Sequence, residues 1–419
     1  MEYVNEEVFL IPTKRNSGSI VYAPLKGMYF WLCEDYAKQY REVLENGKEL
    51  ASIRENTELY QRVLLLNRAP SQKPRERTFS IDNHVVIILS QLCNFECSYC
   101  YARYAHSNDI IDWSTIERVL GIVLATQQKE IKVTFIGGGE PLATFQLLKK
   151  AAEYAEEKAN AVGKFVRFSL TTNGSLVSAE RAFWLKQHGF AVSISFEILP
   201  EIQNMQRPML GNRASYEAVD RGIRNLIRAG VPLRFRSTIT NANVSQMQQM
   251  VRYALKNYPE VTRLHFEHVS DNSIDLESYY KQYIASFFAA RKTAKEHGAR
   301  LTNSILSSLQ CIKDVFCAGE MCVTPSGSIV SCHRASSLLD SLYDSFRVYD
   351  SCNDIENTKV CSMQILTELL PECSKCFARW HCAGACTYNR QIYSKSQMKL
   401  LCKFTRDLIR EYFESTLSL

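Results

Sequence analysis

Between residues 83 and about 300, six short β-rich runs alternate with stretches of helical length and period, and few folds accept that rhythm. The runs are HVVIIL (84–89), KVTFIG (132–137), FVRFSLTT (165–172), AVSISF (191–196), PLRFRSTI (232–239) and RLHFEHV (263–269). Amphipathic segments such as STIERVLGIVLATQQ, LLKKAAEYAEEKANA, SYEAVDRGIRNLIRAG and SQMQQMVRYALKNY lie between them, with a last long one near 276–297. Repeated βα units predict parallel strands joined by helical crossovers. Six of them predict an α/β fold of the partial (β/α)6 barrel type, in which function sits at the C-terminal ends of the strands.

Two other textures flank this core, as expected of a 419-residue chain, which is too long for one ordinary core. Residues 1–68 read as a small α+β module, with strands EVFLIP, GSIVYA and MYFWL followed by helices over EDYAKQYREVLEN, KELASIREN and TELYQRVLLLN. Residues 69–82, with their prolines and arginines, read as a linker to the barrel at 83–300. From 301 to 419 the rhythm stops, and eleven of the fifteen cysteines fall between 311 and 402. The start MEYVNEEVF has neither the basic nor the apolar part of a signal peptide, and no apolar run approaches a membrane span, so a cytoplasmic protein is expected. In a reducing compartment, clustered cysteines serve as metal or cluster ligands in preference to disulfides. The net charge of +6 is modest and spread along the chain, which does not indicate a nucleic-acid partner.

The stretch CNFECSYCY places Cys93, Cys97 and Cys100 just after the first barrel strand, on the loop facing the functional end. A structural zinc wants four ligands, and His84 and His106 lie outside any usual finger spacing. Three thiolates suit a 4Fe-4S cluster that keeps one iron open to a ligand. This CxxxCxxC spacing, with Tyr99 before the third cysteine, resembles the radical S-adenosylmethionine (SAM) superfamily. The resemblance implies that the open iron binds the amino and carboxylate groups of SAM, and that reductive cleavage yields a 5′-deoxyadenosyl radical. GGGEP at the end of the second strand resembles the family's GGE motif, which assigns Gly138, Gly139 and Glu140 to the SAM amino group. TTNG (171–174) and SISFE (193–197) end the third and fourth strands, where relatives place groups for the ribose and carboxylate. Thr172, Asn173 and Ser195 are the matching residues, with Arg207 and Arg236 as candidate carboxylate partners. Glu197 stands where relatives commonly have Asp followed by Gly, a departure that weakens the carry-over at that strand.

The C-terminal cysteines run Cys311-x5-Cys317-x9-Gly327-x4-Cys332, then Cys373-x2-Cys376-x5-Cys382-x3-Cys386, then Cys402. This order resembles the SPASM extension of radical SAM enzymes, which carries two auxiliary 4Fe-4S clusters. By that resemblance Cys311, Cys317, Cys332 and Cys386 hold one cluster and Cys373, Cys376, Cys382 and Cys402 the other, three clusters in all with the first. Two four-cysteine zinc sites are the alternative. Cys33, Cys322, Cys352 and Cys361 remain, most of them read as inert buried thiols, with Cys322 able to stand in for Cys311 or Cys317.

SPASM enzymes mostly act on peptides or proteins. Sulfatase maturases of the family carry an Asp base directly after the cysteine that here is Cys332, whereas this chain has His333 in SCHRAS, as do peptide maturases that install thioether or carbon–carbon crosslinks. His333 is therefore a candidate proton acceptor or orienting group. The N-terminal module resembles the winged-helix-like element by which peptide maturases grip a leader sequence; its alternative is a cap on the barrel. The expectation is an oxidoreductase that matures a ribosomally made precursor peptide with a leader and takes electrons from a flavodoxin or ferredoxin. Sulfatase-type oxidation, a non-catalytic iron–sulfur carrier and a zinc-bound nucleic-acid module are the competing readings.

Overall fold

The computed structural model describes residues 2–5, 8–45, 57–73, 83–103, 106–271, 273–317, 319–351 and 370–418. Four antiparallel strands, β1 (Glu2–Asn5), β2 (Val8–Pro12), β3 (Gly18–Ala23) and β4 (Met28–Cys33), form a sheet in that order, one strand more than the sequence suggested. The helices Glu34–Glu45 and Glu58–Arg68 follow, the second capped by the Thr57 hydroxyl; the expected helix over KELASIREN lies outside the described residues. Alternation puts Leu10, Val21, Phe30 and Leu32 against these helices, and Phe9, Ile11, Ile20 and Tyr22 on the opposite face.

That opposite face is covered too. Phe377, Ile409 and Phe413 pack on it, the last two from the C-terminal helix Lys395–Thr416. The Lys14 amide donates to the buried Glu414 carboxylate (2.9 Å), fastening the β2–β3 turn to the same helix. The helix begins with a capping box, Ser394 and Gln397 satisfying each other's backbone amides. Further along, its Phe404 stacks on Tyr280 of helix Leu276–Glu296 (4.2 Å, 9°), so one helix joins the N-terminal sheet to the barrel.

All six predicted barrel strands are present: β5 (His84–Ile87), β6 (Glu130–Phe135), β7 (Phe165–Thr172), β8 (Ala191–Ser195), β9 (Leu233–Ile239) and β10 (Arg263–His268). They pair in parallel and in sequence order. The sheet does not end there. β11 (Arg300–Thr302) extends it parallel beyond β10, and β12 (Cys322–Val323) joins the other edge parallel to β5. β13 (Ile329–Val330) and β14 (Arg347–Tyr349) follow antiparallel, giving ten strands among the described residues. The cysteine-rich region thus grows out of the barrel sheet.

Helices cover one face of the sheet. In helix Tyr216–Arg228 the stripe Val219, Ile223 and Leu226 is buried, and Gly222 lies where a Cβ would come 2.0 Å from the Gly174 carbonyl after β7. The other face, at the strand ends, opens into the cavity described next.

Candidate active site

Just beyond β5 the chain becomes the loop bearing Cys93, Cys97 and Cys100. The turn after β6 braces it: Gly139 N donates to Ser90 O (3.0 Å) and Glu140 N to Leu92 O (2.6 Å). A Cβ on Gly139 would lie 1.8 Å from Leu92 O, and one on Gly138, whose φ is +60°, 2.6 Å from Ile88 Cγ2. The nearest backbone these glycines accommodate is therefore the cysteine loop itself.

Glu140 is buried and its carboxylate accepts from Leu142 N (3.0 Å), Thr172 Oγ1 (2.5 Å) and Asn173 N (2.7 Å). Burial raises its pKa, against the opposing pull of these donors. Asn173 Nδ2 donates to Asn94 Oδ1 (2.9 Å), and Asn94 Nδ2 to Ser175 Oγ (2.9 Å), so the end of β7 reaches back into the cysteine loop. Glu140, Thr172 and Asn173, predicted separately, form one network with Asn94.

Tyr99 is the loop's second anchor. Its hydroxyl donates to the Glu197 carboxylate and accepts from Arg207 Nη1 (2.7 Å), and Arg207 stands 3.9 Å from Glu197. The carboxylate partner of Arg207 within the chain is thus Glu197, the residue noted only as a departure from the family pattern. Burial pushes the Glu197 carboxyl up to about 7, even though Arg207, Tyr99 and the Thr238 amide favour its charge. Arg207 Nε is buried with no partner among the described residues. Ser195 and Arg236 pair across β8 and β9 at the same level.

Tyr99, Glu140, Thr172, Asn173, Ser195, Arg207 and Arg236, with the three loop cysteines, line one cavity of about 1060 Å³. Its far wall comes from the C-terminal region and includes His333, Arg334, Cys382 and Cys386. His333 Nδ1 lies 2.7 Å from Glu320 Oε2, and the His333 ring meets Tyr101 of the cysteine loop edge-on at 6.0 Å. Burial alone would raise the Glu320 carboxyl; the contact with His333 outweighs it and holds the group below its usual range. Neither Glu320 nor Tyr101 carries a motif that sequence reading could have used.

Among the C-terminal thiols, Cys373, Cys376, Cys382 and Cys402 lie close to one another, and Cys386 lies close to Cys332 and Cys317. Burial pushes Cys382 up to about 12, with Cys376, Cys402 and Cys373 close enough to add to it; Cys373 rises to about 11 with Cys376 and Cys402 contributing. Burial likewise takes Cys332 to about 12, with Cys386 adding, while Cys317 is exposed. On the barrel loop burial takes Cys93 to about 12, with Cys97 and Cys100 among the contributors. Neighbouring thiols that resist ionisation in the bare chain fit an electron-poor metal group, which deprotonates the sulfur it binds. Among the described residues no three His, Cys, Asp or Glu side chains close on a single-ion site. Cys322 is fully buried on β12 among Val86, Ile88, Val330 and Tyr343, an apolar setting. Cys33 is partly exposed at the end of β4; Cys352 and Cys361 lie outside the described residues.

Comparison with known proteins decides the family. Residues 87–254 match the model described as the Radical SAM superfamily. The barrel is a radical SAM domain. An uncharacterized protein of Methanocaldococcus jannaschii is 27% identical over 41% of this chain, which spans 58% of that relative's length. The cysteine-type anaerobic sulfatase-maturating enzyme of Clostridium perfringens is 21% identical over 77% of this chain and 92% of its own. Among solved structures, native anSMEcpe with bound AdoMet and the Cp18Cys peptide superposes with a TM-score of 0.68 at 20% identity, covering 80% of this chain and 98% of that one. At that identity the likeness is one of fold. The radical SAM membership implies a 4Fe-4S cluster and SAM, and the unpaired buried Arg207 Nε beside the cysteine loop is a donor suited to a carboxylate. No helix among the described residues is long and apolar enough to cross a membrane.

Proposed function

We propose that this radical SAM enzyme is a SPASM-type peptide maturase that joins residues of a ribosomally made precursor through a thioether or carbon–carbon bond. The observation that carries the reading is the single cavity bounded on one side by Cys93, Cys97 and Cys100 and on the other by His333, Cys382 and Cys386. A 4Fe-4S cluster on the three loop cysteines, with SAM bound, supplies a carbon-centred radical able to take hydrogen from an unactivated carbon. The chain's own part is orientation. Glu140 keeps acceptor capacity for an ammonium, Arg207 offers its Nε to a carboxylate, and Thr172, Asn173 and Ser195 line the wall between them. Glu320 fixes the His333 ring through Nδ1, leaving Nε2 without a partner among the described residues and able to accept a proton from substrate. Cys311, Cys317, Cys332 and Cys386, and Cys373, Cys376, Cys382 and Cys402, are the proposed holders of two auxiliary clusters. The N-terminal sheet is covered on both faces, which leaves the edges of β1 and β4 for a leader peptide added as a strand.

The test uses anaerobically reconstituted enzyme and the precursor peptide encoded beside its gene. Expected are about twelve irons, falling to about eight in the Cys93→Ala/Cys97→Ala/Cys100→Ala variant with loss of 5′-deoxyadenosine release, and a peptide product lighter by one hydrogen pair with new fragmentation-resistant linkage. Zinc without sulfide would overturn it. A second reading, sulfatase-type oxidation, is favoured by the long alignment to the Clostridium perfringens enzyme and opposed by His333. An aldehyde on a Cys- or Ser-bearing peptide, trapped by a hydrazide, would establish it instead.

A further inference from the structure

The strands β9, β10 and β11 alternate between two faces. Phe235, Leu264 and Leu301 are buried under the helices. Arg234, Arg236, Arg263 and Arg300 occupy the opposite, inner face, and all four are exposed to solvent. Arg263 pairs with Arg300, and Leu264 pairs with Phe235, which sets Arg263 beside Arg234 one residue earlier. Three arginines thus form one row across three adjacent strands about 4.8 Å apart, with Arg236 two residues further along β9.

Like charges side by side on one sheet face cost stability unless something offsets them. Nothing among the described residues does. Arg234 Nε donates to Ser193 Oγ (2.5 Å), and no described carboxylate pairs with Arg234, Arg236, Arg263 or Arg300. Partial desolvation of its guanidinium, with Arg236 and Arg263 adding repulsion, lowers the pKa of Arg234 although the residue as a whole is exposed. At the starts of β6 and β7 the face continues with Lys132 and Arg167, which share the single carboxylate of Glu130 (3.7 and 2.6 Å).

The position of the row selects its occupant. It crosses the inner face at the starts of β9, β10 and β11, and Arg236, two residues further along β9, lines the same cavity as Cys93, Cys97 and Cys100, so a ligand that reaches from the row to the cavity lies lengthwise along β9. An extended peptide satisfies this, and its side chains repeat every second residue, the same spacing that separates Arg234 from Arg236. Guanidinium groups bind carboxylates in bidentate fashion. We propose that Arg234 and Arg236, flanked by Arg263 and Arg300, bind an acidic, extended segment of the peptide substrate that lies along β9 with carboxylates at alternate residues and leads to the cysteine cavity. This rests on the peptide-maturase reading for the identity of the substrate, while the acidic-peptide site can be tested without it.

The probe is a fluorescein-labelled peptide of alternating Glu and Ala, with a Lys–Ala peptide as control, followed by anisotropy on the reconstituted full chain. Expected is binding of the acidic peptide only, weakened by salt and reduced about tenfold or more in Arg234→Gln/Arg263→Gln/Arg300→Gln. Should the triple variant fail to fold, Arg300→Gln alone is expected to weaken binding severalfold, and Arg263→Lys/Arg300→Lys to weaken it while keeping the charge. Equal binding by wild type and variants, or none by wild type, overturns the proposal. So does displacement by tripolyphosphate at far lower concentration than by the acidic peptide, which would assign the row to a phosphate ligand. Release of 5′-deoxyadenosine from SAM, read on the same samples, separates the two ideas. A wild type that cleaves SAM but ignores the acidic peptide sinks only the row; one that binds the peptide but cannot cleave SAM sinks only the maturase reading.

Discussion

The loop carrying Cys93, Cys97 and Cys100 is held by a close-packed glycine turn, the buried Glu140 carboxylate and the Tyr99–Glu197–Arg207 group. The described cysteines from Cys311 to Cys386 sit instead in loops, on a two-residue strand and on short helical turns, and Cys402 alone of the C-terminal cysteines described lies on a long helix. The polypeptide shapes the first site before anything binds. In the second, regular structure supplies little before Cys402, and burial, with the neighbouring thiols adding to it, raises the pKa of Cys373 and Cys382. The first is a preorganised site; on the proposed two-cluster reading, the second is organised by the groups it binds.

The largest effect that would break this contrast comes from removing metal. When a metal site forms only in the folded state, its binding free energy is folding free energy, of order 10 kcal/mol for four-thiolate centres. Hydrogen exchange on metal-free protein should therefore show residues 373–402 exchanging orders of magnitude faster than in reconstituted protein, with β5 and the turn at 137–140 nearly unchanged. Equal protection in both regions would mean that the C-terminal array is as self-supporting as the barrel loop.

Next in size is Gly139→Ala. The new methyl would meet the Leu92 carbonyl, a backbone atom that cannot swing aside, so a loss of about 3 kcal/mol or more is expected in urea unfolding, with SAM cleavage lost as the loop shifts. Gly121, whose Cβ would meet nothing within 4 Å, is the control: Gly121→Ala in helix Trp113–Leu124 should be neutral or stabilising. A mild Gly139→Ala phenotype would show that the glycine turn does not brace the loop.

The third effect depends on pH. Glu197 has a carboxyl raised by burial from 4.5 to about 7. A raised carboxyl binds its proton more tightly in the folded state, so its contribution to stability is complete below about 4.5 and is lost as pH rises to about 7, roughly 2–3 kcal/mol across that window. Glu197→Gln should flatten this slope in thermal melts taken across the window, while lowering stability at pH 8 by leaving Arg207 without its carboxylate. A slope that persists in the variant would assign it to another group.

Much of the barrel site was legible in the sequence because it rests on local patterns: alternating burial in the six long strands, and cysteines and glycines at strand ends. β11, β12, β13 and β14 were missed because two or three residues cannot show an alternation. Glu197 was visible as a departure from the family pattern, but its bond to Tyr99 joins residues 98 positions apart and needed the fold. The arginine row has the same cause: RFRS announces two inward arginines on one strand, whereas their alignment with Arg263 and Arg300 is a matter of register.

The smallest effect on stability and the sharpest on chemistry is expected where the two regions meet, at Glu320 and His333. Both side chains are about one-third exposed (32% and 28%), so the pair contributes about 1 kcal/mol or less to folding. Its carboxyl is held below the usual range, so that contribution is present above the normal carboxylate range and disappears as pH falls through the lowered value. Glu320→Gln should leave the melting temperature nearly unchanged and keep a partner on Nδ1, but withdraw the negative charge that favours a protonated imidazole. If His333 accepts a proton from the substrate, kcat for peptide modification should fall about tenfold or more with KM little changed, and the rising limb of its pH profile should shift to lower pH. If His333 only spaces Tyr101 from the C-terminal wall, kcat and the profile will stay where they are. His333→Asp adds the complementary measurement, because it restores the acidic residue that sulfatase maturases carry after this cysteine. Gain of aldehyde formation in that variant would show that the residue after Cys332 selects between the two outcomes on an otherwise shared site.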